Sequence, residues 1–208
     1  MNPRSRLPRL FAVSCFFLMA VRAMSQTGGG ATAMATSGLL GQRYALLDLA
    51  YVDQREGSGK NFGTTVGANF AMVENLDLSV NYAFVRQHDW PDSGSMHSVG
   101  FDMTLYVPVW RVKAFGVGGL GYQWSNAQSG QDMNTWDIGG GLEAPINARL
   151  AVRARAVLLG SIKSGTHQTW TYSGGANYWL TPSLAATAEI TFIENRAIGY
   201  SLGARWKF

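Results

Sequence analysis

The sequence is poor in charge. Asp, Glu, Lys and Arg make up 14% of its 208 residues, well under the ~25% usual for soluble globular proteins. Disorder is excluded by the company that low charge keeps, because disordered chains are charge-rich and aromatic-poor and aromatics here reach 12%. Cysteine is nearly absent. The single one, Cys15, lies in the N-terminal apolar stretch, so the remaining chain has no disulfide framework and no thiol nucleophile. After the first thirty positions no run of ~20 apolar residues occurs, which excludes helical membrane spans there.

What charge there is leans basic, with a formal net charge of +4. Its location removes the apparent nucleic-acid signal. Arg4, Arg6 and Arg9 precede the apolar stretch Leu10 to Val21, and Arg22, Ala23, Met24 and Ser25 follow. A basic start, a short apolar middle and small residues at the −3 and −1 positions predict a secretory signal cut after Ser25. Removing 1–25 takes away four arginines and no acid, so 17 basic residues fall to 13 against 13 acids. An exported, neutral chain is a poor nucleic-acid binder.

Residues 26–40 are small and predict a flexible tail. From 41 to 208 the sequence alternates large apolar with small or polar residues, the period of strands with two different faces. The segments are 43–53, 61–72, 76–86, 96–107, 112–124, 135–146, 150–159, 168–180, 184–193 and 197–208. In the first, Ala45, Leu47, Leu49 and Tyr51 oppose Tyr44, Leu46 and Asp48. The fifth is irregular, with Phe115 and Val117 on the polar side. Tight connections at 73–75, 108–111, 147–149 and 181–183 alternate with longer ones at 54–60, 88–95, 125–134 and 160–167, and a short 194–196. That predicts an all-β, antiparallel up-and-down barrel of about ten strands, with eight as the alternative.

The polar face carries Asp48, Asp77, Asp102, Asp137, Glu143 and Glu189, with Lys113, Arg153, Arg155, Arg205 and Lys207. Gly, Ser and Thr accompany them, as in a narrow, crowded lumen. A soluble barrel would turn its apolar face inward, whereas a membrane barrel turns it to lipid. Tyr51, Phe62, Phe84, Trp124, Trp136, Trp170 and Phe192 gather toward one rim, and Phe70, Trp110, Tyr178, Trp206 and Phe208 toward the other. Two aromatic belts match two water–lipid interfaces.

With its signal segment, its amphipathic strands and a last strand carrying Tyr200, Leu202, Trp206 and Phe208, the chain resembles the small OmpA/OmpX-like class of bacterial outer-membrane β-barrels, which is porin-family-like. The resemblance covers about 41–208. It implies an outer-membrane location, lipid as the surrounding partner, and recognition of those four residues by the barrel-assembly machinery. It implies no cofactor, and a monomer. The expected strand count departs from the eight commonest among small barrels.

Glu143 and Arg153 count back to opposite positions across neighbouring strands, predicting an ion pair, with Arg155 nearby. Such charges either plug the lumen or line a narrow ion path. His88, His97 and His167, with Asp89, Asp92 and Asp132, fall at outer strand ends or in the longer loops. Ten-stranded omptin-type proteases are similar in placing Asp and His at the outer mouth, but the loops here are short, so solvated loop residues are the expectation. No catalytic residue and no metal ligand set is assigned. Glycines at 116–121 and 139–141 lack the Lys-Ser/Thr of a phosphate loop, so no nucleotide is expected. The role expected is structural or adhesive, or a narrow passive pore. The alternatives are an outer-mouth hydrolase, omptin-like or lipid A-modifying, and a secreted soluble barrel for an apolar ligand.

Overall fold

The computed structural model describes residues 37–54, 60–87, 94–126, 132–162, 168–194 and 197–208. The expected signal segment 1–25, the tail residues 26–36, and His88, Asp89, Asp92 and His167 lie outside the described residues.

Ten strands follow in order: β1 (Tyr44–Gln54), β2 (Lys60–Val73), β3 (Leu76–Gln87), β4 (Ser95–Val109), β5 (Val112–Ser125), β6 (Met133–Pro145), β7 (Leu150–Ser161), β8 (Thr169–Trp179), β9 (Leu184–Ile193) and β10 (Ala197–Lys207). Each pairs antiparallel with its neighbours in sequence, and β1 pairs with β10 to close the barrel. The count is ten, and the eight-strand alternative falls.

An even strand count puts the start of β1 and the end of β10 at one end, together with the tight connections. We call it the turn end. Glu74-Asn75 joins β2 to β3 and Trp110-Arg111 joins β4 to β5, with Asn75 at φ 67° and Trp110 at φ 57°. Asparagine tolerates that left-handed backbone, but a bulky tryptophan there is strained. After β6, Asn147 Oδ1 accepts the Arg149 and Leu150 N–H groups at 2.9 Å each. After β8, Thr181 Oγ1 accepts those of Ser183 and Leu184. These side chains stand in for backbone partners and hold the turns short.

The pleat sends successive side chains to opposite faces, and the apolar set faces out. Leu49, Leu120 and Leu202 are 61%, 62% and 66% exposed, while Asp77 and Glu143 are 2% and 1% exposed on the inside. The usual inside–outside order is inverted. An 11-residue strand is about 36 Å long, and a 35–45° tilt leaves about 28 Å along the axis, enough for an apolar band of about 25 Å. Leu49 lies midway along β1. Leu78 lies near the β2–β3 turn, opposite Phe70, toward the edge of the band.

Among the described residues, the buried apolar side chains that pack together form two small groups rather than one core. Leu39 packs with Tyr44, Trp179 and Ala185, and Leu40 with Tyr106 and Phe115. Both groups include the segment just before β1. Residues 37–40, the end of the expected tail, are therefore inside the barrel: Ser37 is 0% and Leu40 4% exposed.

Candidate functional site

The turn end of the lumen is closed by residues 37–42. This segment joins no strand ladder, so its backbone groups need other partners. The barrel wall supplies them. Glu143 Oε2 and Oε1 accept the N–H groups of Leu39 (3.0 Å) and Leu40 (3.2 Å), and Asp77 Oδ2 accepts that of Gly41 (2.9 Å). On the carbonyl side, Lys113 Nζ donates to Leu40 O (2.6 Å) and Asn69 Nδ2 to Gln42 O (2.8 Å). Asn177 Nδ2 and Trp179 Nε1 both donate to Ser37 O, at 2.5 and 2.8 Å. Bonds to ionised groups are roughly twice as strong as neutral ones, so Glu143, Asp77 and Lys113 dominate this set.

Two glycines make the fit. Gly41 has φ 82°, and a Cβ there would come 2.6 Å from Tyr106 Oη. A Cβ on Gly38 would collide with the Glu143 carboxylate. The two leucines between them fill the two apolar pockets.

The expected Glu143–Arg153 ion pair is not formed, although the register is as predicted. The two residues face each other directly across β6 and β7. The Glu143 carboxylate turns to the segment's N–H groups instead. The Arg153 guanidinium lies 4.3 Å from the Phe115 ring centroid, and its Nε has no hydrogen-bond partner among the described residues. Lys113 is Glu143's register partner on the other side, and it too is turned to the segment.

Above this closure is a cavity of about 220 Å³ with a largely polar lining. Leu39 is at its floor, and Asn81, Asp102, Arg153, Arg155 and Thr187 are among its walls. That volume holds a handful of waters. Arg205 makes a two-pronged bond to Asp48, at 2.6 and 2.9 Å. Arg155 reaches Glu189 at 3.0 Å and Ser173 Oγ at 2.9 Å. Asp102 accepts from Asn81 at 3.2 Å. It shares Gly119 as a register neighbour with Asp137. Lys207 Nζ sits 5.1 Å from the Trp179 ring. Of the charges expected on the polar face, Asp48, Asp102, Arg153, Arg155, Glu189 and Arg205 line this cavity, and the sequence misjudged the Glu143 pairing. It missed Tyr44, Asn69, Tyr106, Asn177 and Trp179 as holders of the segment. Large aromatics at polar-parity positions near the turn end were the available signal.

At the opposite rim, His97 faces outward. Its ring stacks on Trp124 (5.3 Å, 8°), and its Nδ1 lies 2.7 Å from Tyr82 Oη. Asp132 accepts from Tyr122 at 2.9 Å. The two residues have separate partners and are not brought together as an acid–base pair. Outward aromatics also meet at Tyr51–Phe62 (5.2 Å), Trp170–Tyr172 (6.1 Å) and, at the turn end, Phe70–Phe208 (6.0 Å). Tyr200 stacks on Tyr51 at 6.5 Å.

The sequence matches no protein-family model and no curated protein. Among solved structures, the fold is similar to the β domain of the Bordetella autotransporter BrkA, with a TM-score of 0.50 at 10% identity over 81% of this chain and 100% of that one. Neisserial surface protein A gives 0.42 at 18% identity over 80% and 96%. The KdgM porin gives 0.44 at 10% identity over 78% and 99%. At 10% identity the first likeness is one of fold alone, a closed antiparallel β-barrel.

Proposed function

We propose that this chain is an outer-membrane β-barrel whose resting state is closed, with a structural or adhesive role rather than free solute passage. The observation that carries the reading is the closure of the turn end by residues 37–42, held by Glu143, Asp77 and Lys113. Short turns face the periplasm in such barrels, which would put the closure on the inner side.

The membrane part of the reading is supported by the inverted faces. Exposed Leu49, Leu120 and Leu202 would be a liability in water, and the polar lumen offers little to an apolar ligand. This disfavours the soluble ligand-binding barrel. Trp110, 86% exposed with the Arg111 guanidinium 5.2 Å from its ring, suits a water–lipid interface. The narrow-pore reading keeps one specific support, the polar cavity above the closure. The hydrolase reading has none among the described residues.

Conductance of the purified protein in planar bilayers tests the closed state. The expected record is a bilayer-inserted protein with no steady current. A steady open current from the unmodified chain would replace the closed reading with the pore.

A further inference from the structure

We infer that residues 37–42 are an exchangeable plug, seated in a peptide-binding site of the barrel wall, and that the row Lys113–Glu143–Arg153 re-pairs when the plug leaves. The inference rests on the closed-barrel reading. The ligand class is a turn-forming peptide with two adjacent leucines between glycines, closed by the Gln42 N–H to Leu39 O bond, and the chain supplies it in cis.

Three observations carry it. First, the segment is held by side chains reaching its backbone, with no ladder pairing, so it can depart without breaking a strand pair. Second, Leu39 lines the polar cavity, so departure would extend that cavity through the turn end. Third, the site holds a ready second arrangement of its charges. Glu143 lies between Lys113 and Arg153 in register on three adjacent strands. With the plug seated, neither cation makes an ion pair with a carboxylate among the described residues. Lys113 holds Leu40 O, Glu143 holds two N–H groups, and Arg153 rests on Phe115 with Nε unpartnered.

A buried acid stripped of its partners is strongly unfavourable. Here Glu143 exchanges two backbone donors for two cations already opposite it. Glu143 has partners in both arrangements, and the second also gives a carboxylate to Arg153, whose Nε is unpartnered with the plug seated; two such arrangements make a two-state element. The ion pair expected from the sequence is then the pairing of the unplugged state.

The test is single-channel recording of the full-length protein, wild type against Gly41→Ala. The substitution forces an L side chain into a left-handed backbone inside the plug and brings its Cβ against Tyr106 Oη, while every wall residue keeps its identity. It should raise the open fraction by about tenfold, the effect of modest backbone strain. A synthetic peptide of residues 36–43, added to each compartment in turn, should block the opened variant from one side. Adding Arg153→Gln should shorten the openings. On the unmodified protein in micelles, the Leu39 and Leu40 amides should exchange hydrogen faster than the strand amides of β6 and β7. Should Gly41→Ala fail to fold, that exchange decides. An inserted Gly41→Ala barrel that opens no more than wild type, or wild-type plug amides as slow as the strand amides, overturns the inference alone. A chain that never inserts into the bilayer overturns the barrel reading with it.

Discussion

Consider an arginine placed at Leu49. The residue is 61% exposed on the outward face, midway along β1, directly opposite Leu202 on β10. If that face meets water, an exposed Leu→Arg change shifts stability by no more than about 0.5 kcal/mol. If it meets the bilayer midplane, the cost is ~2–4 kcal/mol, or roughly 30- to 900-fold in the folding equilibrium. Leu202→Arg should behave the same way. Val73→Arg, on an exposed residue at the β2–β3 turn, should cost about 0–1 kcal/mol because it lies at the rim. Leu78→Arg, near the same turn, should fall between. The assay is reversible unfolding in urea from lipid vesicles, followed by tryptophan fluorescence. A Leu49→Arg barrel within about 0.5 kcal/mol of wild type, or equal costs at Leu49 and Val73, would refute the depth argument.

Other changes address the interior and the terminal strand. Leu40→Ala empties a pocket between Tyr106 and Phe115 and should weaken plug docking by about 2–5 kcal/mol, seen as faster amide exchange at 37–42 with strand amides unchanged. Asp48→Asn leaves Arg205, now in a two-pronged bond, without its counter-charge. The pair is only partly buried, so the loss should be about 1–3 kcal/mol, below the 3–5 for a fully buried pair, and visible as a lower thermal midpoint. Phe208→Ala removes an edge contact with Phe70 worth about 0.5–1.5 kcal/mol. If the terminal strand is an assembly signal, this variant should lose assembled protein in cells far more than it loses stability after refolding, which gel migration of membrane fractions would measure.

Most of the wall was legible because a strand has a period, and a period can be read. In β1 the outward set is Ala45, Leu47, Leu49 and Tyr51 as the alternation predicts, and the observed β9, Leu184–Ile193, matches its segment at both ends. The irregularity of β5 was legible too, though not its cause. Phe115 and Val117 break parity because they are buried at 5% and 8% inside the barrel, where Phe115 receives Leu40. The plug itself left little trace. Residues 37–42 form no strand, and 37–40, small residues and two leucines, read as the end of a tail until a wall exists to receive them. Without the plug, Glu143 opposite Arg153 predicts an ion pair from register alone. The pairing fails because two main-chain N–H groups, a hundred residues away in sequence, reach the acid first.

The central claim is that the face presented outward meets lipid and the face presented inward does not. A spin-label scan through residues 44–54, one cysteine at a time in a Cys15→Ser background, measures this position by position in vesicles. Collisions with oxygen, which concentrates in the apolar band, should rise at 45, 47, 49 and 51 and fall at 44, 46, 48 and 50. A flat profile, or one with the two sets reversed, would contradict the account.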